Sequence, residues 1–266
     1  MKRVLLFLMV IGLATTVAFS QKKETRSVSG FTGINASSVF DITVTKDNAE
    51  SLTIEADNEV MPYVRSEVKN GVLHLYLDNN KKLKNIKLLK ASVSMKNLDK
   101  VTLSGACKFT ANDLFTSEEF KGDCSGASKM MVNVNTGQLS IRASGANKID
   151  VKANVTNNVK LDVSGTSEIR GEMQAARVKL SSSGVCSVEL FGSATDIKID
   201  VSGTSNVKAE DFIVKTANIE SSGTSKVIVS VTDALKVNSS GASSINYKGS
   251  PTVEINSSGA SKVRKI

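Results

Sequence analysis

The residues whose types and spacing come closest to doing chemistry are carboxylates that stand three positions before a recurring Ser-Gly pair. They are Asp123, Asp162, Asp200 and Glu220, with Arg142 between the first two. Two carboxyls about 5 to 9.5 Å apart can divide acid and base roles in glycoside hydrolysis, and alternate strands of a stacked repeat lie about 10 Å apart. Outward polar positions of any repeat have this look, so these residues are predicted to be a solvated face. A Ser-His-Asp arrangement needs a histidine to take the serine proton. His74 is the single histidine and sits among alternating strand residues. A structural zinc needs about four Cys or His ligands close together, which this chain lacks. The glycines fall one per repeat and form no phosphate loop. No catalytic, cofactor-binding or metal residue is therefore assigned, and the chain is predicted not to be an enzyme.

The repeat itself dictates the fold. Ser-Gly recurs with Gly at 105, 126, 145, 165, 184, 203, 223, 241 and 259, at intervals of 18 to 21 residues. The residue after the glycine is Ala, Thr or Val, and the one after that is usually Ser, with Cys107, Asn147 and Cys186 as the exceptions. Four residues after the glycine stand Phe109, Met130, Ile149, Ile169, Val188, Val207, Val227, Ile245 and Val263. Four before it stand Val101, Gly122, Ile141, Leu161, Leu180, Ile199, Ile219, Val237 and Ile255. Polar residues alternate with them, the period-two signature of strands with one buried face. A unit this small cannot bury its own apolar face, but stacked copies make one continuous core. The prediction is an all-β parallel β-helix (β-solenoid) with 18–21 residues per coil. Each coil reads as a strand, a Ser-Gly corner, a second strand and a short polar link. The handedness of parallel crossovers favours a right-handed coil. Hairpin signals that would support an antiparallel sandwich are largely missing.

Residues 1–20 read as a secretory signal peptide. Lys2 and Arg3 precede an uncharged apolar run, and Ala18 and Ser20 form a small-residue cleavage site. The run is short for a membrane span, no later stretch is apolar enough to cross one, and no Cys marks a lipid anchor. Residues 21–100 keep strand patterns without the Ser-Gly corner and are predicted to be irregular first coils and a cap. Residues 101–266 are the nine regular coils. Loss of the leader lowers the formal charge from +8 to +6. Lysines are scattered one or two per repeat, apart from the run Lys81, Lys82, Lys84, Lys87 and Lys90. With no Trp and few Tyr and Phe, stacking partners for nucleic acid are scarce, so nucleic acid is not an expected partner. Three cysteines are an odd count for a disulfide framework. Cys107 and Cys186 share one register four coils apart, about 19 Å, too far to bond; all three are expected to be small corner or core residues. Asn-X-Ser/Thr sequences at Asn35, Asn154, Asn238 and Asn256 carry no weight in a repeat this rich in Asn and Ser.

The segment Phe31-Thr32-Gly33-Ile34-Asn35 is followed by Val39-Phe40-Asp41-Ile42-Thr43-Val44, then by Leu52-Thr53-Ile54-Glu55-Ala56 and Gly71-Val72-Leu73-His74-Leu75. Together with the Ser-Gly repeats this resembles the head GIN domain family of Bacteroidetes exported proteins, which carries the description "putative autotransporter adhesin". The resemblance runs from about residue 28 to the C-terminus. It implies a β-helical fold and a place in the cell envelope, and little about mechanism. In one departure from autotransport, no translocating barrel follows the repeats in this sequence.

The leading functional expectation is an exported adhesin or surface-binding module, in the periplasm, at the cell surface or outside the cell. Its partner would be a glycan or an envelope or host surface protein, met by one chemical pattern displayed many times. The alternative is a structural envelope component without a ligand, and a polysaccharide-active enzyme ranks below both. An ice-binding column of Thr166, Thr204 and Thr224 is disfavoured by Ala and Val in the same register. Lys129, Lys148 and Lys226 fall on a single outer face, where charge changes should locate binding.

Overall fold

The computed structural model describes residues 21–78, 83 and 85–266. The expected leader and three lysines of the basic run, Lys81, Lys82 and Lys84, lie outside these residues. Among the described residues there is no α-helix. The strands join into one 18-stranded sheet, wound as a parallel β-solenoid of about nine turns.

The N-terminal strands are β1 (Gln21–Arg26), β2 (Gly33–Ala36), β3 (Asp41–Lys46), β4 (Ser51–Asp57), β5 (Val64–Lys69), β6 (Val72–Leu77), β7 (Leu89–Met95) and β8 (Lys100–Leu103). Seven long strands follow: β9 (Lys108–Gly126), β10 (Lys129–Gly145), β11 (Lys148–Gly165), β12 (Glu168–Gly184), β13 (Ser187–Val201), β14 (Asn206–Ser221) and β15 (Lys226–Ser239). The chain closes with β16 (Ser244–Lys248), β17 (Thr252–Ser257) and β18 (Lys262–Lys265). Coils do not stack in simple chain order at the start. Strand β2 lies parallel between β6 and β8, and β3 between β7 and β9. Strand β5 then pairs antiparallel with β6 through an Asn70-Gly71 turn, both residues at positive φ, as a two-residue hairpin requires. The outermost strand β1 runs antiparallel to β4 and carries Lys22, Lys23, Glu24 and Arg26. Charges on an edge strand discourage further pairing.

From β9 onward the register follows the glycine alignment. Phe109, Met130, Ile149, Ile169, Val188, Val207, Val227, Ile245 and Val263 stack one on the next, and all but Val263 are buried. Gly122 is the gap in the column four before the corner. A Cβ there would meet Met130 Cε and Ile141 Cδ1, each at 2.8 Å, so the flexible Met130 side chain occupies the space a larger residue would take. The polar link expected between strands is instead strand. Single strands wrap from one corner to the next, and Phe115, Val134, Val155, Met173, Phe212 and Val231 turn inward along the way. Variable coil length is absorbed as bulges, between Ala111 and Leu114, Asn154 and Asn158, and Ala209 and Ile213. A bulge inserts residues while the ladder resumes on either side.

The corner is held by the residue two after the glycine. In all nine copies its side chain donates to the carbonyl of the Ser before the glycine, from Cys107 on Ser104 to Ser261 on Ser258, at 2.7 to 3.3 Å. The Ser before the glycine supplies that accepting carbonyl, and in three copies its own hydroxyl donates to backbone of the preceding coil, Ser125 to Leu103 O, Ser164 to Ala143 O and Ser202 to Ser182 O. Cys107, Cys186 and Asn147 appear in this column because thiol and amide can also donate. Ser205 donates to Ser202 O at 3.2 Å and accepts from Ser182 Oγ at 3.0 Å. We expect Ser205→Ala to leave buried groups unpaired and cost about 1–3 kcal/mol. Ser205→Cys, which copies Cys107, should cost less than half of that. Urea midpoints of the two variants would show it; equal losses would mean that the donor is irrelevant.

Candidate functional site

Each Ser-Gly corner separates two outer faces, and the stacking turns every outward position into a column parallel to the solenoid axis. Successive members are about 4.8 Å apart. Before the corner, the position three residues ahead of the glycine runs Thr102, Asp123, Arg142, Asp162, Ser181, Asp200, Glu220, Asn238 and Asn256. Two residues earlier on the same strands runs Lys100, Lys121, Ser140, Lys160, Lys179, Lys198, Asn218, Lys236 and Glu254. The lysines therefore form a column that a linear view of the chain scatters. Aligning outward positions on the glycine, as was done for the apolar ones, is the signal that finds it.

Most cations of these two columns are ion-paired. Lys160 and Arg142 both reach Asp162, at 2.8 and 3.7 Å, and Lys121 pairs with Glu119 and Lys236 with Glu254. Asp200 and Glu220 occupy adjacent coils, closer than the expected alternate spacing, and Lys198 spans them at 3.4 and 3.0 Å. The hydrogen bond to Glu220, then the charge of Asp200, hold the Lys198 ammonium above the ordinary lysine range. The nearest approach to a catalytic carboxylate pair is thus an ion-pair ladder. It flanks two shallow troughs. One, of about 750 Å³, runs past Ser181, Ser183, Asp200, Ser202, Glu220 and Asn238. The other, of about 710 Å³, follows Lys160, Arg177, Lys179, Lys198 and Lys236.

The face after the corner is different. Its first column is Lys108, Lys129, Lys148, Glu168, Ser187, Asn206, Lys226, Ser244 and Lys262. The expected single face for Lys129, Lys148 and Lys226 is therefore real: the first two touch in register, and Lys226 follows four coils on. The next column is Thr110, Met131, Asp150, Arg170, Glu189, Lys208, Ile228, Asn246 and Arg264. Arg170 lies over the Phe191 ring, 4.9 Å from its centroid. A hollow of about 370 Å³ opens beside Met131, Asn133, Asp150 and Arg170.

The remaining singled-out residues do not converge. His74 is half-buried on β6, in register with Asn35 and Glu67. Thr204 and Thr224 stand in adjacent coils, while Val185 separates Thr166 from them. All three cysteines are free and buried. Among the described residues no three His, Cys, Asp or Glu side chains are grouped to hold a metal, and no helix is long and apolar enough to cross a membrane.

A family model described as "Putative auto-transporter adhesin, head GIN domain" matches residues 30–171 and 153–251. The chain belongs to the head GIN domain family. A search of the curated proteins finds no match. Among solved structures, this head GIN solenoid resembles a putative adhesin from Parabacteroides merdae ATCC 43184, with 20% identity, a TM-score of 0.70 and coverage of 92% of this chain and 96% of that one. A putative adhesin from Parabacteroides distasonis ATCC 8503 aligns at 20% identity and a TM-score of 0.73, over 94% and 98% of the two chains. A third, named a putative lipid binding protein from the same organism, aligns at 18% identity and a TM-score of 0.70, over 92% and 96%. At these identities the likeness establishes the fold alone.

Proposed function

We propose that this head GIN solenoid is an exported, non-catalytic surface-binding module. It would engage a glycan or an envelope or host surface protein through its repeated outer columns. One observation carries the reading: outward positions of successive coils line up in register as columns along the axis, and several of these columns are rich in lysine. A target with its own repeat can meet several weak contacts at once on such a face, and avidity grows with their number. The family description points the same way, as does the leader-like pattern of residues 1–20, which implies the periplasm, the cell surface or the exterior. The ion pairing of Asp200 and Glu220 through Lys198 supports a role other than glycoside cleavage.

The test is binding of the chain from Gln21 onward to a glycan and host-matrix array at several salt concentrations. Saturable binding to one class, with the glycan recovered at its original length, is the expected result. Shortened glycan products that disappear in an Asp200→Asn, Glu220→Gln variant would overturn the non-catalytic reading. Silence across the whole array would favour a structural envelope component.

A further inference from the structure

The two faces on either side of the corner share the same backbone, but they treat their charges differently. Across its two inner columns, from Lys100 to Asn256, the face before the corner sets seven cations against five carboxylates, and five of those cations make ion pairs. The face after the corner, from Lys108 to Arg264, sets eight cations against three carboxylates. Only Lys108, Lys148 and Lys208 among them are paired. Lys129 lies directly between Lys108 and Lys148 and has no ion-pair partner among the described residues; the same holds for Lys226, Lys262 and Arg264.

Like charges stacked in register destabilise a sheet. Folding does not demand this arrangement, since the neighbouring face of the same coils pairs five of its seven cations. Such a local violation in an otherwise consistent fold is where a functional constraint is expected. Resting on the surface-binding reading above, we infer that the face after the corner binds a linear anionic polysaccharide laid along the solenoid axis. The charged groups of such a chain would pair with Lys129, Lys148 and Lys226, releasing counterions. Its sugar hydroxyls would meet Asn133 and Asp150 at the adjoining hollow, where Met131 is 45% exposed. The column runs along the axis in register from coil to coil, which suits a polymer. Exposed Met131 and Leu114 are too few apolar groups to insert into a bilayer. Few aromatics are available to stack on unpaired bases.

The experiment measures affinity for a sulfated polysaccharide (heparin), a carboxylated one (polygalacturonate), neutral dextran and a DNA duplex, each between about 50 and 200 mM salt. The proteins are the chain from Gln21 onward and its Lys129→Glu, Lys148→Glu, Lys226→Glu variant. A second triple, Lys→Gln at the same positions, removes cations without adding acids. Lys121→Glu, Lys160→Glu, Lys179→Glu on the other face is the control, and circular dichroism checks that every variant folds. The expected result is polyanion binding weakened roughly 10- to 100-fold in both triples at Lys129, Lys148 and Lys226, with a salt slope smaller by about 2–3 and a control changed less than 3-fold. The two anionic polysaccharides show whether sulfate or carboxylate is preferred. Equal loss in the control would overturn the choice of face, and preference for DNA would overturn the ligand class. Binding confined to dextran or to an array protein would sink this inference and leave the surface-binding reading standing; no binding to anything would sink both.

Discussion

Gly165→Ala should be among the most damaging single changes available in this protein, while Gly71→Ala should be mild. Both glycines have positive φ, +77° and +73°, so a side chain at either incurs the left-handed backbone cost of about 1–2 kcal/mol. Their surroundings differ. A Cβ at Gly71 meets nothing within 4 Å, whereas at Gly165 it would meet the Gly145 carbonyl oxygen at 2.4 Å and its nitrogen at 2.9 Å. That oxygen is the acceptor that joins the two coils: Thr166 N donates to it at 2.7 Å and Ser167 Oγ at 3.1 Å. Backbone cannot swing away as a side chain can, so the coils must separate or the corner must open. The total cost is expected at roughly 3–5 kcal/mol. Because a solenoid is stabilised by nearest-neighbour interfaces, the loss should also split unfolding into two steps, with the coils on either side melting apart. Urea melts followed by circular dichroism, with hydrogen exchange to localise the break, would measure both effects. Similar losses in the two variants would mean that close coil approach is not what selects glycine.

That corner geometry explains why so much of the fold was legible. One Ser-Gly pair per coil sets the period, and the period places Ile149 on Ile169 and Leu161 on Leu180 without further information. The expectation failed where the period slips. Between Ala209 and Ile213 the strand carries additional residues, and in sequence Glu210-Asp211 looks like a polar link; the chain stays in the ladder because Phe212 turns inward there and is buried. The first coils were less legible still. Nothing local to Gly33-Ile34-Asn35 announces that its strand will sit between Val72–Leu77 and Lys100–Leu103, since that order is decided by contacts far apart in the chain.

The candidate faces were legible in composition and illegible in arrangement. Lys160, Lys179 and Lys198 are about twenty residues apart in sequence and look dispersed, yet register makes them neighbours. Whether a lysine is neutralised depends on the residue two positions along and on the coil above, as with Lys198 between Asp200 and Glu220. The asymmetry between the faces therefore emerges only when the columns are compared.

The cysteines yield a second large effect, at alkaline pH. Burial, then the charge of Asp123, then Cys107, push the Cys124 thiol up to about 12, and burial also raises Cys107. A disulfide between them is not expected. Hydroxyl contacts across the corner link a residue two before one glycine to the residue two after the next, as in Ser182–Ser205 and Ser221–Ser243, both 3.0 Å. Cys107 and Cys124 lie on the other diagonal, where Ser225 and Ser239 make no hydrogen bond with each other. An acid whose folded pKa is raised adds nothing below its unfolded pKa, because both states are protonated there. As pH rises past 9, the ordinary value for a thiol, the unfolded chain releases a proton that the folded chain retains. Stability then falls by about 1.4 kcal/mol per pH unit until the folded thiol also ionises, for a total on the order of 4 kcal/mol from Cys124. Cys124→Ala copies Ala143, its partner in the next coil, and Cys107→Ser copies Ser128. The double variant should be slightly less stable at pH 8 and markedly less sensitive between pH 9 and 11. Lysine deprotonation is common to both proteins and cancels in the difference. Urea midpoints under reductant at four pH values would decide it, and parallel curves would mean that the buried thiols do not govern alkaline unfolding.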